Sequence, residues 1–315
     1  MPLIVNSKPE FPIYKELVNE QVFIIDQSRA ETQDIRPLRI ALLNLMPATS
    51  RVNTEIQFFK LLGNTPLQIE PILLKFNKFQ PNTGAKRFEQ FYKPLSNVQE
   101  QGLDGLIITG ANLEIDVENN SLLDFENIKY YQELIDLMNW ASKNVTSTIY
   151  SCLASHIALN CFFGLERTLA SEKIFGIFDH QKTARNFKDL TRDMNDIVFA
   201  PHSRWGDIKS EKLKATGKID VIYESPEAGW LISLARKGRE IFIQGHPEYD
   251  RNDLVGEYLR DKKQGQKIPY NYFPNNDETQ EPICNWRADS AVFYRNWVNY
   301  VYQTTNFDLA KPVSI

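Results

Sequence analysis

The chain has few of the residues that mark disulfide-bonded or metal-binding proteins. Its 315 residues include only three cysteines, Cys152, Cys161 and Cys284, and four histidines. The cysteines are odd in number and lack Cys-x-x-Cys spacing, and the histidines lack a metal-ligand spacing. Neither a disulfide framework nor a metal site is therefore expected.

Long apolar runs and an excess of positive charge are also missing. No stretch of about 18 apolar residues occurs, and no charged-then-apolar signal opens the chain, so a cytosolic protein is expected. The net charge is −4, 24% of the residues are charged, and no basic stripe is visible. Binding to nucleic acid or to a membrane is therefore not expected.

Short apolar runs alternate with helical periodicity along the chain. The patterns predict strands over residues 38–46, 67–74, 104–108, 147–151, 174–178, 221–224, 230–235 and 240–244. They predict helices over residues 54–62, 128–141, 153–163, 253–263 and 290–302. This alternation is typical of an α/β fold, a mostly parallel sheet with helices on both faces.

The chain is expected to form one domain preceded by an extension. Residues 1–37 contain prolines at positions 2, 9, 12 and 37 and are expected to wrap the surface of the core. Residues 38–315 then form a single domain, because no repeat, low-complexity block or linker interrupts them. The last predicted helix is rich in aromatic residues and is a candidate homodimer contact.

The run QGHPEYD, residues 244–250, carries the clearest chemical signal. Pro247 disfavours a helix at His246, and in an extended segment His246 and Glu248 point to the same side. An imidazole oriented by a carboxylate is the arrangement that activates a cysteine nucleophile. Cys152, about ninety residues upstream, is the candidate partner.

Cys152 lies where the predicted strand STIYS meets the helical pattern LASHIALNCFF. At such a turn a side chain faces a helix N-terminus, whose dipole and free N–H groups stabilise a thiolate and then an oxyanion. Taken alone, Cys152 fits a buried structural cysteine as well. The His246–Glu248 pair favours the nucleophile, whereas Cys161 is interpreted as core and Cys284 as a loop residue.

Three further residues have more than one interpretation from the sequence alone. His156 lies four residues after Cys152 on the same helix face, so it is an alternative base or a pocket residue. Glu257 and Arg260 are three residues apart on one helix. Arg260 suits the binding of a carboxylate, but from the residues alone a solvated surface ion pair is the favoured explanation of the two residues.

From about residue 20 to residue 310 the chain resembles a known family in an ordered set of segments. These are SRAETQDIRPLRIALLNLMP, DGLIITGA, VTSTIYSC, APHSRW, QGHPEYDR, PYNYFPNND and NWVNYVYQ. They are similar to the homoserine O-acyltransferases of methionine biosynthesis, which comprise the O-succinyltransferases and the O-acetyltransferases. The resemblance implies a class I glutamine-amidotransferase-like fold with a flavodoxin-like sheet.

The resemblance also implies a ping-pong mechanism on a Cys–His–Glu triad. The triad positions of the family fall on Cys152, His246 and Glu248. The cysteine takes an acyl group from acetyl-CoA or succinyl-CoA as a thioester, and the hydroxyl of L-homoserine then attacks it. Acyl-CoA is a co-substrate in this scheme, and no cofactor is implied.

Further family positions imply how the substrates are selected. The amino-acid-binding positions fall on Lys173, Ser203 and Arg260, with Arg260 on the substrate carboxylate and Glu257 expected near its ammonium. Glu114 falls on a position that tunes the choice of acyl-CoA. Glutamate there goes with acetyl-CoA and glycine with succinyl-CoA, so the acetyl donor is favoured.

Three expected pocket residues depart from the family pattern. Leu153 replaces a tryptophan, His156 replaces a glutamine, and Arg51 stands near a lysine pair that is missing here. These changes leave open another acceptor, such as serine or a specialised amino acid. A more distant alternative is an amidotransferase-like hydrolase of glutamine, although no synthetase domain accompanies it.

Overall fold

The computed structural model describes residues 3–5, 11–20, 22, 24–31, 36–79, 85–113, 115–116, 121–183, 187–265 and 267–305. The strands are β1 Leu3–Ile4, β2 Ile24–Ile25, β3 Leu38–Leu43, β4 Ile69–Lys75, β5 Lys93–Pro94, β6 Gly105–Ile108, β7 Ile115–Asp116, β8 Ser121–Leu122, β9 Ser147–Ser151, β10 Thr168–Lys182, β11 Ile197–Asp207, β12 Ile219–Ser225, β13 Gly229–Ala235 and β14 Glu240–Ile243. The α-helices are α1 Tyr14–Asn19, α2 Gln27–Glu31, α3 Ala48–Leu62, α4 Ala85–Phe91, α5 Leu95–Gln101, α6 Tyr131–Asn144, α7 Leu153–Phe163, α8 Lys188–Thr191, α9 Ser210–Ala215, α10 Asp253–Asp261 and α11 Arg287–Thr304. Short 3-10 turns cover Phe125–Asn127, Arg236–Gly238, Lys262–Gln264 and Pro274–Asn276.

Within the described ranges, twelve strands form one sheet in the order β11-β10-β12-β13-β14-β9-β6-β3-β4-β1-β2, with β5 beside β4. From β14 to β2 the neighbouring strands are parallel. From β14 to β11 they are antiparallel. The predicted α/β class with a mostly parallel, flavodoxin-like sheet is confirmed, and an antiparallel extension is added to one side.

The central strands are buried on both faces. Every residue of β6, β9 and β14 is buried, as parallel strands covered by helices require. Helices α3 and α11 pack on one face, and α6 and α7 pack on the other. The carboxyl ends of β3, β6, β9 and β14 therefore lie along one edge of the sheet.

The largest departure from the predicted elements is the β10–β11 hairpin. The sequence predicts only residues 174–178 as a strand there, whereas β10 spans fifteen residues and pairs with the unpredicted β11. Only the central part of β10 is buried, so its apolar signal is short. Pro201 lies inside β11, where proline normally argues against a strand.

Both ends of the chain contribute to the core. Leu3, Ile4 and Leu17 are buried, and β1 and β2 extend the sheet beyond β4, so the segment before residue 38 does more than wrap the surface. Phe293 and Trp297 of α11 are buried within the chain's own core. These two aromatic residues are therefore not available for a homodimer contact.

No helix in the described ranges is both long enough and apolar enough to cross a membrane.

Candidate active site

Cys152 occupies a sharp turn between β9 and α7. Its backbone has φ 51° and ψ −117°, a conformation that is uncommon for a residue with a side chain. Its N–H group donates a hydrogen bond to the carbonyl oxygen of Ile243, the last residue of β14, at 2.7 Å. Such a backbone persists only where its surroundings fix it. The turn therefore holds the thiol at the carboxyl edge of the sheet.

His246 and Glu248 follow β14 at the same edge, and both are buried. The imidazole Nδ1 lies 2.9 Å from Glu248 Oε1. The backbone N–H of His246 donates to the carbonyl of Pro201 in β11 at 2.7 Å. Cys152 lies close enough to raise the pKa of the imidazole, and Nε2 is the ring nitrogen that Glu248 leaves available to it. The structure thus brings together the three residues that the sequence predicts as a triad.

The electrostatics of this group favour charge separation. Burial lowers the pKa of His246, but the negative charges of Cys152 and Glu248 outweigh burial and raise that pKa well above its ordinary value. An imidazolium beside Cys152 stabilises the thiolate, which is the nucleophilic form.

Gly110 allows the loop after β6 to approach the cysteine closely. A Cβ atom added at Gly110 would lie 3.0 Å from Cys152 Cβ and 3.6 Å from the backbone nitrogen of Leu153. Leu153 begins α7, and the first N–H groups of a helix have no partner within it. These donors and the positive end of the helix dipole therefore point to the place where an oxyanion would form.

A polar cluster, defined as Lys173, Ser203, Tyr249 and Glu257, lies directly beside the imidazole. The ring of Tyr249 stacks on His246, and its hydroxyl donates to Glu257 Oε1 at 3.0 Å. Ser203 Oγ donates to Glu257 Oε2, and Lys173 Nζ lies 3.6 Å from the same oxygen. Two of the predicted substrate-binding residues, Lys173 and Ser203, thus lie around the carboxylate of a third, Glu257.

Arg260 lies on α10, three residues after Glu257, and its side chain is 57% exposed. Its Nε and Nη2 donate to the two carboxylate oxygens of Asp261 at 2.5 and 2.6 Å. Lys173 Nζ lies 3.8 Å from Asp261 as well. Exposed ion pairs of this kind are weak, so the guanidinium can exchange Asp261 for the carboxylate of a ligand.

His156 belongs to a separate buried network. Its Nε2 lies 3.1 Å from Gln244 Nε2, which also donates to Asp207 Oδ1 at 3.1 Å. Burial, together with the charges of Arg204 and Arg167, lowers the pKa of His156 to about 3. The imidazole is therefore neutral and accepts the Gln244 hydrogen bond, an arrangement that favours His246 as the base.

The remaining predicted pocket residues lie in other surroundings. Leu153 is buried in the apolar core between the sheet and its helices. Arg51 lies in the first turn of α3, with its guanidinium 4.6 Å from the centre of the Phe88 ring, and burial lowers its pKa. Glu114 lies outside the described residues.

Sequence reasoning missed Tyr249, Arg204 and Gly110. Tyr249 lies in the QGHPEYD run, three residues after His246, so the sequence already indicated that it lies near the base. Arg204 is fully buried and donates to the carbonyl of Gly206 and to Asp207 at 3.0 and 3.2 Å. These contacts hold the end of β11 in place. The sequence does not reveal them, because β11 itself was not predicted.

Among the described residues, no group of three or more histidine, cysteine, aspartate or glutamate side chains is arranged to hold a metal ion.

The fold has solved relatives among glutamine amidotransferases. The chain superposes on a glutamine amidotransferase from Thermotoga maritima with a TM-score of 0.53 and 13% sequence identity, over 85% of this chain and 99% of that one. At this identity the likeness shows the fold alone. It defines the class as an amidotransferase-like α/β protein.

Sequence relatives define the family. The family model described as homoserine O-succinyltransferase matches residues 2–307. A homoserine O-acetyltransferase from Acetivibrio thermocellus is 42% identical over 95% of this chain and 96% of its own length. A homoserine O-succinyltransferase from Shewanella piezotolerans is 40% identical over 95% and 93%. The chain belongs to the homoserine O-succinyltransferase family and is an acyltransferase.

Proposed function

We propose that the protein transfers an acyl group from acyl-CoA to the hydroxyl of L-homoserine through a thioester on Cys152. The observation that carries this proposal is the buried Cys152–His246–Glu248 arrangement at the edge of the sheet. It supplies a thiolate, a proton carrier and an orienting carboxylate. The relatives named for acetyl and succinyl transfer to homoserine support the choice of reaction.

In the first half-reaction the Cys152 thiolate attacks the thioester carbonyl of acyl-CoA. The oxyanion that forms is stabilised by the free N–H groups at the start of α7. When the intermediate collapses, the C–S bond to CoA breaks and His246 protonates the leaving thiolate. Acyl-Cys152 and free CoA result, and the imidazole is left neutral.

In the second half-reaction neutral His246 takes the proton of the acceptor hydroxyl. The oxygen attacks the thioester carbonyl of acyl-Cys152, and the C–S bond breaks to release the O-acyl product. His246 keeps the proton, so the thiolate and the imidazolium are restored together. Glu248 on Nδ1 holds the tautomer that leaves Nε2 free to act.

The polar cluster supplies the acceptor contacts. Glu257 accepts hydrogen bonds from Ser203 and Tyr249 and lies 3.6 Å from Lys173 Nζ, and its carboxylate is the group that we assign to the acceptor ammonium. Arg260, one turn further along α10, binds the carboxylate through its two parallel N–H donors. These contacts leave the acceptor hydroxyl directed toward His246, on which Tyr249 stacks.

Acetyl-CoA is the proposed donor in preference to succinyl-CoA. The family position of Glu114 supports this choice, because a carboxylate near the acyl group would repel the free carboxylate of a succinyl group. Glu114→Gly should then raise the preference for succinyl-CoA. If the Glu114→Gly variant keeps the wild-type preference, or if the wild-type enzyme already prefers succinyl-CoA, Glu114 does not select the acyl donor.

The deciding experiment follows the release of CoA thiol. Acetyl-CoA and succinyl-CoA are each paired with homoserine, serine and glutamine, and product is identified by mass. Turnover with acetyl-CoA and homoserine is expected to be fastest. Faster turnover with serine would change the acceptor, and ammonia release from glutamine without CoA would indicate the hydrolase instead.

A further inference from the structure

We infer that a groove beside the polar cluster holds the pantetheine and adenosine parts of the acyl-CoA donor. The groove is bordered by Lys173, Phe175, Trp205, Lys267, Ile268 and Tyr270 and has a volume of about 980 Å³. This assignment rests on the proposed function and names the place where that site takes its donor.

The groove is too large for the acceptor alone. Homoserine is a small amino acid, and Lys173, Ser203, Glu257 and Arg260 suffice to bind its charged groups. Pockets of about 300–1,000 Å³ hold ligands the size of a drug molecule or a nucleotide cofactor. The space beyond Lys173 therefore fits a second, longer ligand that enters the same site.

The side chains on the groove suit an aromatic base carried on a flexible arm. Ile268 and Tyr270 are 37% and 50% exposed, and the Tyr270 ring stacks on Phe178 at 5.2 Å between centroids. Exposed apolar groups collected at one concave site are a mark of ligand binding. Adenine stacks on aromatic rings such as Tyr270, and the pantetheine arm is mostly apolar.

Charges on the groove can accommodate phosphate. Lys267 Nζ lies 3.0 and 2.9 Å from the two carboxylate oxygens of Glu172, and both side chains are more than two-thirds exposed. Such a surface pair is weak, so a phosphate can take the place of Glu172. Glu227 also borders the groove, and its carboxylate would repel a phosphate, so we assign the phosphates to Lys267.

The groove connects to the reaction centre through Lys173. This side chain borders the groove and lies 3.6 Å from Glu257, which Tyr249 links to His246. Donor and acceptor therefore share one approach to Cys152. A ping-pong sequence permits this sharing, because CoA leaves before the acceptor binds.

The test compares two acyl donors that differ only in their remote part. Acetyl-CoA carries the whole arm, whereas S-acetyl-N-acetylcysteamine carries only its end. Binding energy from a remote part of a substrate is lost when that part is removed. Tyr270→Ala should lower kcat/KM about tenfold with acetyl-CoA and leave it unchanged with the short thioester.

Isoleucine variants provide a matched control. Ile268→Ala changes the groove and should show the same donor-dependent loss, while Ile197→Ala, 50% exposed on β11 and away from the groove, should not. If kcat/KM falls equally with both donors, or does not fall with acetyl-CoA, the groove assignment is wrong while the proposed function stands. If the wild-type enzyme accepts no acyl-CoA, the proposed function fails and the groove assignment fails with it.

Discussion

Tyr249 stacks on His246 with the ring centroids 4.2 Å apart and the planes 16° from parallel, while its hydroxyl donates to Glu257 at 3.0 Å. One side chain thus contacts both the proposed base and the carboxylate proposed to meet the acceptor. The polar cluster and the imidazole are therefore connected through the single side chain of Tyr249.

Tyr249→Phe keeps the stacking and removes the hydrogen bond to Glu257. Acylation of Cys152 should proceed at a near-normal rate, whereas transfer to homoserine should slow by roughly tenfold, because a hydrogen bond to a charged group contributes about 1.5–3 kcal/mol. Rapid-quench measurement of the two half-reactions separates these effects. Equal slowing of both would mean that the hydroxyl serves general packing and not the acceptor.

Glu248→Gln tests the charge that supports the imidazolium. Removing a neighbouring negative charge disfavours the protonated imidazole, so the pKa of His246 should fall toward its ordinary value. A neutral imidazole is a weaker partner for a thiolate, so acylation of Cys152 by acyl-CoA should also slow. Nuclear magnetic resonance titration of the His246 imidazole measures the fall in its pKa. A His246 titration identical to that of wild type would contradict the role of Glu248.

Gly110→Ala tests the close approach of the loop to the nucleophile. The new Cβ would lie 3.0 Å from Cys152 Cβ, tighter than ordinary packing, and near the N–H of Leu153. Acylation should slow by about tenfold or more. Complete loss of one oxyanion donor slows a reaction by about 10²–10³-fold, and a shift of the Leu153 N–H away from the oxyanion should cause part of that loss. Acylation is followed by rapid quench and folding by thermal unfolding. A fully active, normally folded variant would show that Gly110 has no part in the site.

Arg260→Lys tests the proposed carboxylate contact. Lysine keeps the charge but cannot donate two parallel hydrogen bonds, so the acceptor half-reaction should lose about 2–5 kcal/mol of stabilisation. Acyl-Cys152 should still form normally. The KM for homoserine and the single-turnover discharge rate are the readouts. A misfolded variant would lose both half-reactions. If transfer of the acyl group from Cys152 to homoserine is unaffected, Arg260 is only the surface ion-pair partner of Asp261.

Local sequence rules predicted the centre of the fold well. The apolar runs that became β6, β9 and β14 are continuous because these strands are buried on both faces. The predicted contact of His246 with Glu248 is present, but residues 246–249 form a turn closed by the Tyr249 N–H on the carbonyl of His246 at 3.1 Å, so the contact does not arise from the extended segment that the sequence predicts. Both features are determined within a few neighbouring residues.

The remainder depends on contacts between distant segments. Lys173 meets Glu257 only because the β10–β11 hairpin lies against α10, and no periodicity encodes that approach. The depressed pKa of His156 arises from burial beside Arg204, which the residue spacing does not reveal. The family resemblance supplied Lys173 and Ser203, whereas local pattern alone did not select them.

The most direct test of the account is the mass of the intact protein after incubation with acetyl-CoA alone. The account predicts an increase of one acetyl group, located on the peptide that contains Cys152, and its disappearance when homoserine is added. Cys152→Ala should show neither the adduct nor turnover. An adduct on Cys161 or Cys284 with Cys152 unmodified, or rapid transfer by the Cys152→Ala protein, would contradict the account.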